Sequence, residues 1–298
     1  MNQLMLSIGH ILPNKSEDIY SVKSNDYIFS AFKVLYDIEH RKFNKFIDMI
    51  DIVAFCMKNL TKTEMAEMDM VMETKEIFKQ YRVGQICDLS ARNPFLPVEA
   101  TAPLKVAIEL MVKWNVHRVP VIDSEGTLVS ILTQSRVLEF INNHVMEFNE
   151  NGVLLKKIEE ISNLGTSDVI SITDDNMAIE AFQLIYDKKV SAVAILNDKG
   201  ELTGNISVSD LKMIGYDGGL MSRLFLPIRT FTQMVPKDKA SPFFTVICVR
   251  DTTSLEELLV KFQLSKVHRI YHVNDSMKPI QVISQGDVLK SIIKQDSI

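Results

Sequence analysis

Several residue types and motifs are scarce in this 298-residue chain, and each shortage excludes a class of protein. Only 11 glycines occur, and the phosphate-binding loop GxxxxGK[ST] and the dinucleotide turn GxGxxG are both missing. The HExxH helix, the GxSxG elbow and the kinase HRD and DFG triplets are missing as well. Without CxxC spacing, a disulfide framework or a thiolate zinc site is not expected of the three cysteines, Cys56, Cys87 and Cys248. We therefore expect no enzyme, no cofactor and no metal.

Charge and hydropathy exclude two further classes. The formal net charge is -5 with a pI near 5.7, whereas a general nucleic-acid binder needs a basic face that displaces counterions from phosphates. No run approaches the roughly 18 consecutive apolar residues of a membrane span. The hydrophobic content of 46% and the charged content of 24% are typical of a packed globular chain. We expect a soluble cytoplasmic protein, also able to occur in the nucleus, with neither nucleic acid nor membrane as a partner.

The chain contains an internal repeat. Residues 103–140 combine helical spacing, an alternating strand (HRVPVID), a turn, a second strand (LVSILT) and another helical segment. The same order recurs over 176–213 and 254–292. The registers agree, because the same spacing separates His117 from Arg136, Ser191 from Asp210 and His268 from Asp287. A degenerate copy with a longer turn lies near the N-terminus, between Ser30 and Asp51.

These copies predict an α/β (α+β) fold built from four units of β-α-β-β-α type. The expected units cover residues 10–60 (degenerate), 83–146, 163–216 and 243–298, and a linking helix is expected over 61–82. One such unit cannot bury both faces of its small sheet, so units must pair. We expect the first unit to pair with the second and the third with the fourth.

The junctions between the last strand and the last helix of each unit resemble those of CBS domains, in which a Ser or Thr precedes an Asp by three positions. Ser207 and Asp210 match this pattern, as do Ser284 and Asp287. The first copy carries an acid in place of the hydroxyl, in Asp48-Met49-Ile50-Asp51. The second carries an arginine in place of the acid, in Thr133-Gln134-Ser135-Arg136.

The differences between copies are similar to those in the gamma, nucleotide-sensing subunits of AMP-activated and SNF1-type protein kinases. There, too, the middle strands of repeats two to four begin with His-Arg, Ser-Ala and His-Arg, and arginine ends the second junction. This resemblance implies two paired modules (Bateman modules) forming a disc, with AMP, ADP or ATP as a regulatory ligand in the clefts between repeats. It implies kinase catalytic and scaffold subunits as partners.

The resemblance also assigns roles to individual residues. A carboxylate accepts hydrogen bonds from both ribose hydroxyls, a role assigned to Asp51, Asp210 and Asp287; capping of the following helix is the alternative reading of these acids. The phosphate is assigned to five basic residues, for which a solvated strand edge is the alternative: His117, Arg118, Arg136, His268 and Arg269. Weaker candidates are the hydroxyls of Ser191, Ser207, Ser284, Ser171 and Thr173. The family usually has basic residues where Ser30 and Ser135 lie.

Three functional hypotheses follow. The first is a sensor or regulatory subunit in which adenine nucleotides bias a kinase partner. The second is an interaction scaffold that keeps the fold and has lost nucleotide sensing, which Ser30 and Ser135 favour. The third is the detached regulatory region of an enzyme.

Overall fold

The computed structural model describes residues 3–12, 46–47, 49–61, 63–64, 79–92, 94–149, 152–214, 221–234 and 246–295. The predicted strands of the first repeat, Ser30 and most of the linking helix expected over 61–82 lie outside these residues. The described part of the first repeat is mainly helix α1 (Met49–Asn59), and a short helix, α2 (Val83–Ile86), follows the linking segment.

The second repeat shows the unit in full. Its elements are β1 (Val98–Glu99), α3 (Leu104–Trp114), β2 (Arg118–Ile122), β3 (Leu128–Thr133) and α4 (Gln134–Asn143). The middle strand β2 pairs parallel with β1 and antiparallel with β3. Helix α3 buries its apolar positions at helical spacing and ends where Asn115 adopts the left-handed conformation, with φ 50°.

The third repeat keeps the strand order and differs at its end. Its elements are β4 (Ser171–Thr173), α6 (Ala178–Asp187), β5 (Ala192–Leu196), β6 (Leu202–Ser207) and a 3₁₀ helix (Val208–Ile214). The intervening helix α5 (Val145–Phe148) lies between the second and third repeats. The helical segment predicted after β6 therefore begins as a 3₁₀ helix rather than an α-helix.

The fourth repeat repeats the pattern of the second. After α7 (Ile228–Gln233) come β7 (Cys248–Val249), α8 (Leu255–Ser265), β8 (Arg269–Val273), β9 (Pro279–Ser284) and α9 (Gln285–Gln295). A capping box starts α8, because Ser254 Oγ accepts from the Glu257 N–H and the Glu257 carboxylate accepts from the Ser254 N–H. The connecting segments add short 3₁₀ helices at Gln3–Met5, Ile8–Ile11, Val153–Leu155, Ile158–Glu160 and Met221–Phe225.

The second and fourth repeats contact each other through their helices. Helix α9 lies against α3 and α4, and α8 lies against α4. One apolar core unites the two repeats, with Ile108 and Leu138 from the second and Phe262 and Leu289 from the fourth. A second core joins α1 of the first repeat to the third repeat, where Phe55 lies in the same cluster as the α6 residues.

The third and fourth repeats instead contact each other through their sheets. Ala194, Leu202, Tyr271 and Val273 form a buried apolar cluster between the sheets. The Tyr271 hydroxyl donates to Asn205 Oδ1 at 2.7 Å, and the Leu202 N–H donates to the Met277 carbonyl at 2.9 Å. The predicted pairing of the third unit with the fourth is therefore a sheet-to-sheet contact. Within the described ranges the chain has three three-stranded sheets, and the predicted α/β repeat fold is confirmed.

Candidate ligand-binding site

Two His-Arg pairs lie at equivalent places in the second and fourth repeats. His117 immediately precedes β2 and His268 immediately precedes β8. In the strand registers Arg118 lies opposite Thr133, and Arg269 lies opposite Ser284. The histidine and arginine of each pair therefore lie at the start of a middle strand, next to the junction at which α4 or α9 begins. The centroids of the two histidine rings are 6.3 Å apart, so the structure brings the two pairs together across the contact between the repeats.

A glutamine from the following helix supports each histidine. His117 Nδ1 lies 3.4 Å from Gln134 Oε1, and His268 Nδ1 lies 3.4 Å from Gln285 Oε1. Each glutamine Nε2 also donates, at 3.1 Å, to the carbonyl oxygen of the residue before its histidine, Val116 or Val267 in turn. The two repeats therefore build the same His-Gln arrangement on either side of their contact.

Ser135 joins the two arrangements. Its hydroxyl donates to Gln285 Oε1 at 2.9 Å, from the second repeat to the fourth. Gly286 holds the position equivalent to Ser135, and a Cβ atom there would come within 3.2 Å of Gln134 Nε2. A side chain at Gly286 would crowd that amide, so the Ser135 contact has no counterpart from Gly286.

Arginines extend this cluster toward the third repeat. The Arg269 guanidinium donates to Ser191 Oγ, and Arg92 Nη1 donates to the neighbouring Val190 carbonyl at 2.7 Å. The Arg118 guanidinium carbon lies 6.0 Å from the centre of the Phe46 ring. Residues of all four repeats therefore surround one group of cations.

Crowding and desolvation shift the titration of these groups. Desolvation lowers the pKa of His117 to about 4. The hydrogen bond to Gln134 raises this pKa, and Arg269, His268 and Arg92 lower it further. Desolvation also lowers the pKa of His268, with the Gln285 hydrogen bond opposing and Arg269 and Arg118 contributing. Both rings are consequently neutral near pH 7.

The Arg269 pKa is lowered too, first by desolvation. Tyr271 and Asp210 raise that pKa and Arg92 lowers it. The arginines thus supply a strong local positive field in a chain whose net charge is -5, and additional negative charge would be favourable here.

The junction acids Asp210 and Asp287 help to cap the helices in whose first turns they lie. Asp210 Oδ2 accepts from the Ser207 N–H at 2.7 Å and from the Ser207 hydroxyl at 2.9 Å. Asp287 Oδ2 makes the same two contacts with Ser284, at 2.8 and 2.6 Å. The capping role is therefore present in both. These contacts use one oxygen of each carboxylate, and Asp210 also lies close enough to raise the pKa of Arg269.

The remaining candidates make local contacts or contacts between repeats. Asp51 is fully buried in α1 and accepts from the Ser90 N–H at 2.9 Å, which ties the first repeat to the start of the second. The Arg136 N–H donates to Thr133 Oγ1 at 3.2 Å in the first turn of α4. Ser171 lies in β4 opposite Ala194, and the Thr173 hydroxyl donates to Asn176 Oδ1 at 2.5 Å.

Three residues of the cluster were not among the sequence candidates: Arg92, Gln134 and Gln285. Aligning the repeats one position beyond the junction hydroxyl would have shown the two glutamines. Arg92 has no counterpart in the repeat alignment, so its role depends on a contact with Val190 that is distant in sequence. In the described part of the chain, no group of three or more His, Cys, Asp or Glu side chains could hold a metal ion. None of the described helices has the length and apolar character that crossing a membrane requires.

Comparisons with known proteins agree with this architecture. Curated relatives include Protein SDS23 of Eremothecium gossypii, 26% identical over 243 residues, and Protein SDS23 of Saccharomyces cerevisiae, 27% identical over 243 residues. Each match covers 76% of this chain and 49% or 46% of the relative. The chain therefore spans about half the length of these relatives.

Among solved structures, Protein MJ1225 from Methanocaldococcus jannaschii, proposed as an archaeal homolog of g-AMPK, superposes with a TM-score of 0.69 at 19% identity. The match covers 96% of this chain and 99% of that one, and it shows the shared fold. The CBS domain family model matches residues 83–143, 158–215 and 244–294, which is more than half of the chain. The repeats, their sheets and these matches agree, and the chain belongs to the CBS domain family.

Proposed function

We propose that this protein is a non-catalytic sensor or regulatory subunit that binds an adenine nucleotide and regulates a protein kinase partner. The observation that carries the proposal is the convergence of five basic residues from the second and fourth repeats on the edge of the third: Arg92, His117, Arg118, His268 and Arg269. Because both histidines are neutral, the repulsion in this group is between arginines such as Arg92 and Arg269, and a phosphate would relieve it.

The neighbouring hydroxyl and carboxylate fit the rest of a nucleotide. Ser191 contacts Arg269, and Asp210 influences the same guanidinium. A carboxylate can accept hydrogen bonds from both ribose hydroxyls, and Asp210 stands beside this arginine. AMP, ADP and ATP share this combination of ribose and phosphate, and we propose them as the ligand class.

The position of the site supplies a route for regulation. A ligand held by Arg118 and Arg269 would contact both modules at once and would favour the arrangement in which its contacts are best. We propose that this bias is read by kinase catalytic and scaffold subunits in the cytoplasm or the nucleus.

Calorimetric titration with AMP, ADP, ATP, S-adenosylmethionine and adenosine tests the ligand. We expect the phosphorylated adenine nucleotides to bind more tightly than adenosine. Binding of none of them at millimolar concentration would overturn the sensor function. Measuring association with purified kinase catalytic and scaffold subunits, with and without AMP, tests the partner, and an association that AMP leaves unchanged would contradict nucleotide regulation.

One observation favours an interaction scaffold as the second candidate. Ser135 stands where the gamma family usually has lysine, and its hydroxyl is engaged with Gln285 between the repeats. That contact strengthens the joint between modules in place of supplying a cation. A scaffold would bind its partner subunits equally well when Arg118 and Arg269 are replaced.

A further inference from the structure

The two glutamines beside the histidines determine which ring nitrogen carries the proton. A carbonyl oxygen is an acceptor only, so the glutamine atom facing the Val116 carbonyl must be the amide NH₂. Oε1 of Gln134 then faces His117 Nδ1. Since Oε1 can only accept, Nδ1 is the protonated nitrogen. The same argument holds for Gln285, Val267 and His268.

On the fourth-repeat side, a contact from the other module reinforces this orientation. The Ser135 hydroxyl donates to Gln285 Oε1 at 2.9 Å, which holds that oxygen in place beside His268. The His-Gln distances of 3.4 Å are long for N–H···O bonds, so this additional contact strengthens the orientation of Gln285. Gly286 takes the equivalent place near Gln134, which has no matching hydroxyl there.

This tautomer has a consequence for anions. A neutral ring with its proton on Nδ1 has a lone pair on Nε2, which cannot donate to a phosphate oxygen. Donation from Nε2 requires a second proton on the ring. A nearby negative charge favours that protonated form. The Nδ1–H contact to glutamine persists in both forms, so the ring gains the proton without turning.

We propose that Gln134 and Gln285 are positioning residues that hold His117 and His268 with Nε2 available to one shared anion, so that anion binding is coupled to proton uptake by both rings. The rings are 6.3 Å apart between centroids, and a phosphate group offers three acceptor oxygens. The inference rests on the anion site of the proposed function and adds its dependence on pH.

The charged groups around the rings favour this coupling. Arg92, Arg269 and the other ring influence His117, and Arg118 and Arg269 influence His268. Asp210 acts on Arg269 from the third repeat. Arg136 and Asp287 stand in the first turns of α4 and α9, the helices that carry the two glutamines. Burial and the surrounding cations hold both rings neutral until an anion arrives.

The tautomers can be measured without any ligand. In ¹⁵N NMR spectra at pH 7.5 we expect His117 and His268 of the unmodified protein to carry the proton on Nδ1. Gln134→Leu and Gln285→Leu should each give a mixture of tautomers at the neighbouring ring. Gln285→Glu keeps an acceptor of the same shape and should keep the proton on Nδ1. This variant also allows the test to be made if a leucine variant fails to fold. A proton on Nε2 in the unmodified protein would overturn the proposal.

A matched control exists in the same chain. Gln281 Oε1 lies 3.4 Å from His272 Nδ1, the same contact, at a histidine whose Nε2 faces Asp251 at 2.7 Å. Gln281→Leu should alter the His272 signals alone and leave anion binding unchanged. If Gln281→Leu weakened anion binding as much as the Gln134 and Gln285 variants do, a general loss of rigidity would explain their effect, and histidine positioning would not.

Proton uptake is measured by calorimetry at pH 7.5 in two buffers with different heats of ionisation. We expect AMP binding to take up between one and two protons and adenosine binding to take up none. The Gln134→Leu/Gln285→Leu double variant should bind AMP about five- to tenfold more weakly and adenosine unchanged. AMP binding without proton uptake would contradict the proposal.

Sulfate distinguishes the histidine assignment from the nucleotide function, because it is an anion that does not itself titrate in this range. Sulfate binding with proton uptake, in the absence of any AMP binding, would overturn the nucleotide function and support the histidine assignment. Failure of both AMP and sulfate to bind at millimolar concentration would overturn both.

Discussion

The fourth repeat contacts two partners in different ways. Toward the third repeat it presents its sheet, and the contact is a small apolar cluster with a tyrosine-asparagine hydrogen bond. Toward the second repeat it presents its helices, with a large apolar core and, at the end of the core, the histidines, glutamines and Ser135. The helical contact therefore combines cohesion with the two site histidines, whereas toward the third repeat the site continues only through Arg269, which donates to Ser191 Oγ among the described residues.

This difference predicts that some residues of the helical contact determine the stability of the fold and that others determine ligand binding. The apolar part of the helical contact removes large side chains from water, which stabilises the fold. The polar part gathers cations, and crowded cations reduce stability while favouring an anion. Variants in the two parts should therefore behave differently, and the following predictions test that separation from the largest effect to the smallest.

The largest effect is expected in the apolar part. Phe262 of α8 is 2% exposed within the core shared by the second and fourth repeats. Phe262→Ala should lower the free energy of unfolding by about 3 to 5 kcal/mol, because it removes buried contacts and leaves a cavity. Denaturant unfolding measures this. The control Leu264→Ala lies on the same helix at 78% exposure and should change stability little; equal losses would contradict the proposed core.

The next effect concerns binding. Arg269→Ala should weaken AMP binding on the order of 1.5 to 3 kcal/mol, or one to two decades, by removing a charge-assisted contact. Stability without ligand should not fall, since desolvation and Arg92 already disfavour this charge. Arg250 is the control, since its side chain is 48% exposed in an ion pair with Asp275. An Arg269→Ala protein that binds AMP as tightly as the unmodified chain would remove this residue from the site.

The third effect depends on pH. The folded-state pKa of His117, about 4, lies below the ordinary value of 6.5. Above pH 6.5 the ring is neutral in both the folded and the unfolded state. Below pH 6.5 the unfolded chain binds the proton first, so the free energy of unfolding falls as the pH falls toward 4. Between pH 7 and pH 5 the loss should reach about 2 kcal/mol.

Denaturant unfolding of the unmodified chain and of His117→Gln across this range isolates that contribution. The difference between the two proteins should change with pH, and a constant difference would contradict burial of a neutral ring. His268→Gln should show the same sign, because the pKa of His268 is also lowered.

The smallest effect separates capping from ribose binding. Asp287→Ala should cost about 1 kcal/mol of stability, because Ser284 loses the carboxylate that accepts its N–H. Under the proposed function it should also weaken AMP and adenosine binding, and leave sulfate binding intact. Asp275→Ala, at a fully exposed side chain, serves as the control in parallel melting and titration. Lower stability with unchanged affinity for AMP and adenosine would assign Asp287 to capping alone.

Local patterns were sufficient to predict the repeat fold. The HRVPVID pattern and its counterparts predicted β2, β5 and β8, which the structure buries on both faces. Helical spacing predicted α3 and α8, each of which buries one side. Equal spacing in three copies placed His117 and His268 at equivalent strand starts. The same spacing identified the Ser and Asp pairs at the junctions, whose capping contacts are local in sequence.

Contacts between segments that are distant in the chain could not be predicted from the sequence. The choice of helices for one contact and sheets for the other depends on how whole faces fit, which no single repeat records. Arg92 reaches Val190 across 98 positions, and Asp51 holds Ser90 across 39. Neither contact has a periodic signal. Asp51 is buried because of the way α1 packs, and the junction pattern does not indicate this burial.

The hydrogen bond from Ser135 to Gln285 spans 150 positions, and this separation affects synthesis of the protein. A ribosome adding roughly 5 to 20 residues per second needs roughly 8 to 30 seconds to advance from one residue to the other. Throughout that interval the apolar faces of α3 and α4 lack α8 and α9, the helices that cover them. Nascent chains should therefore expose apolar surface until α8 and α9 are synthesised, and chaperones that recognise such surface can bind during this interval.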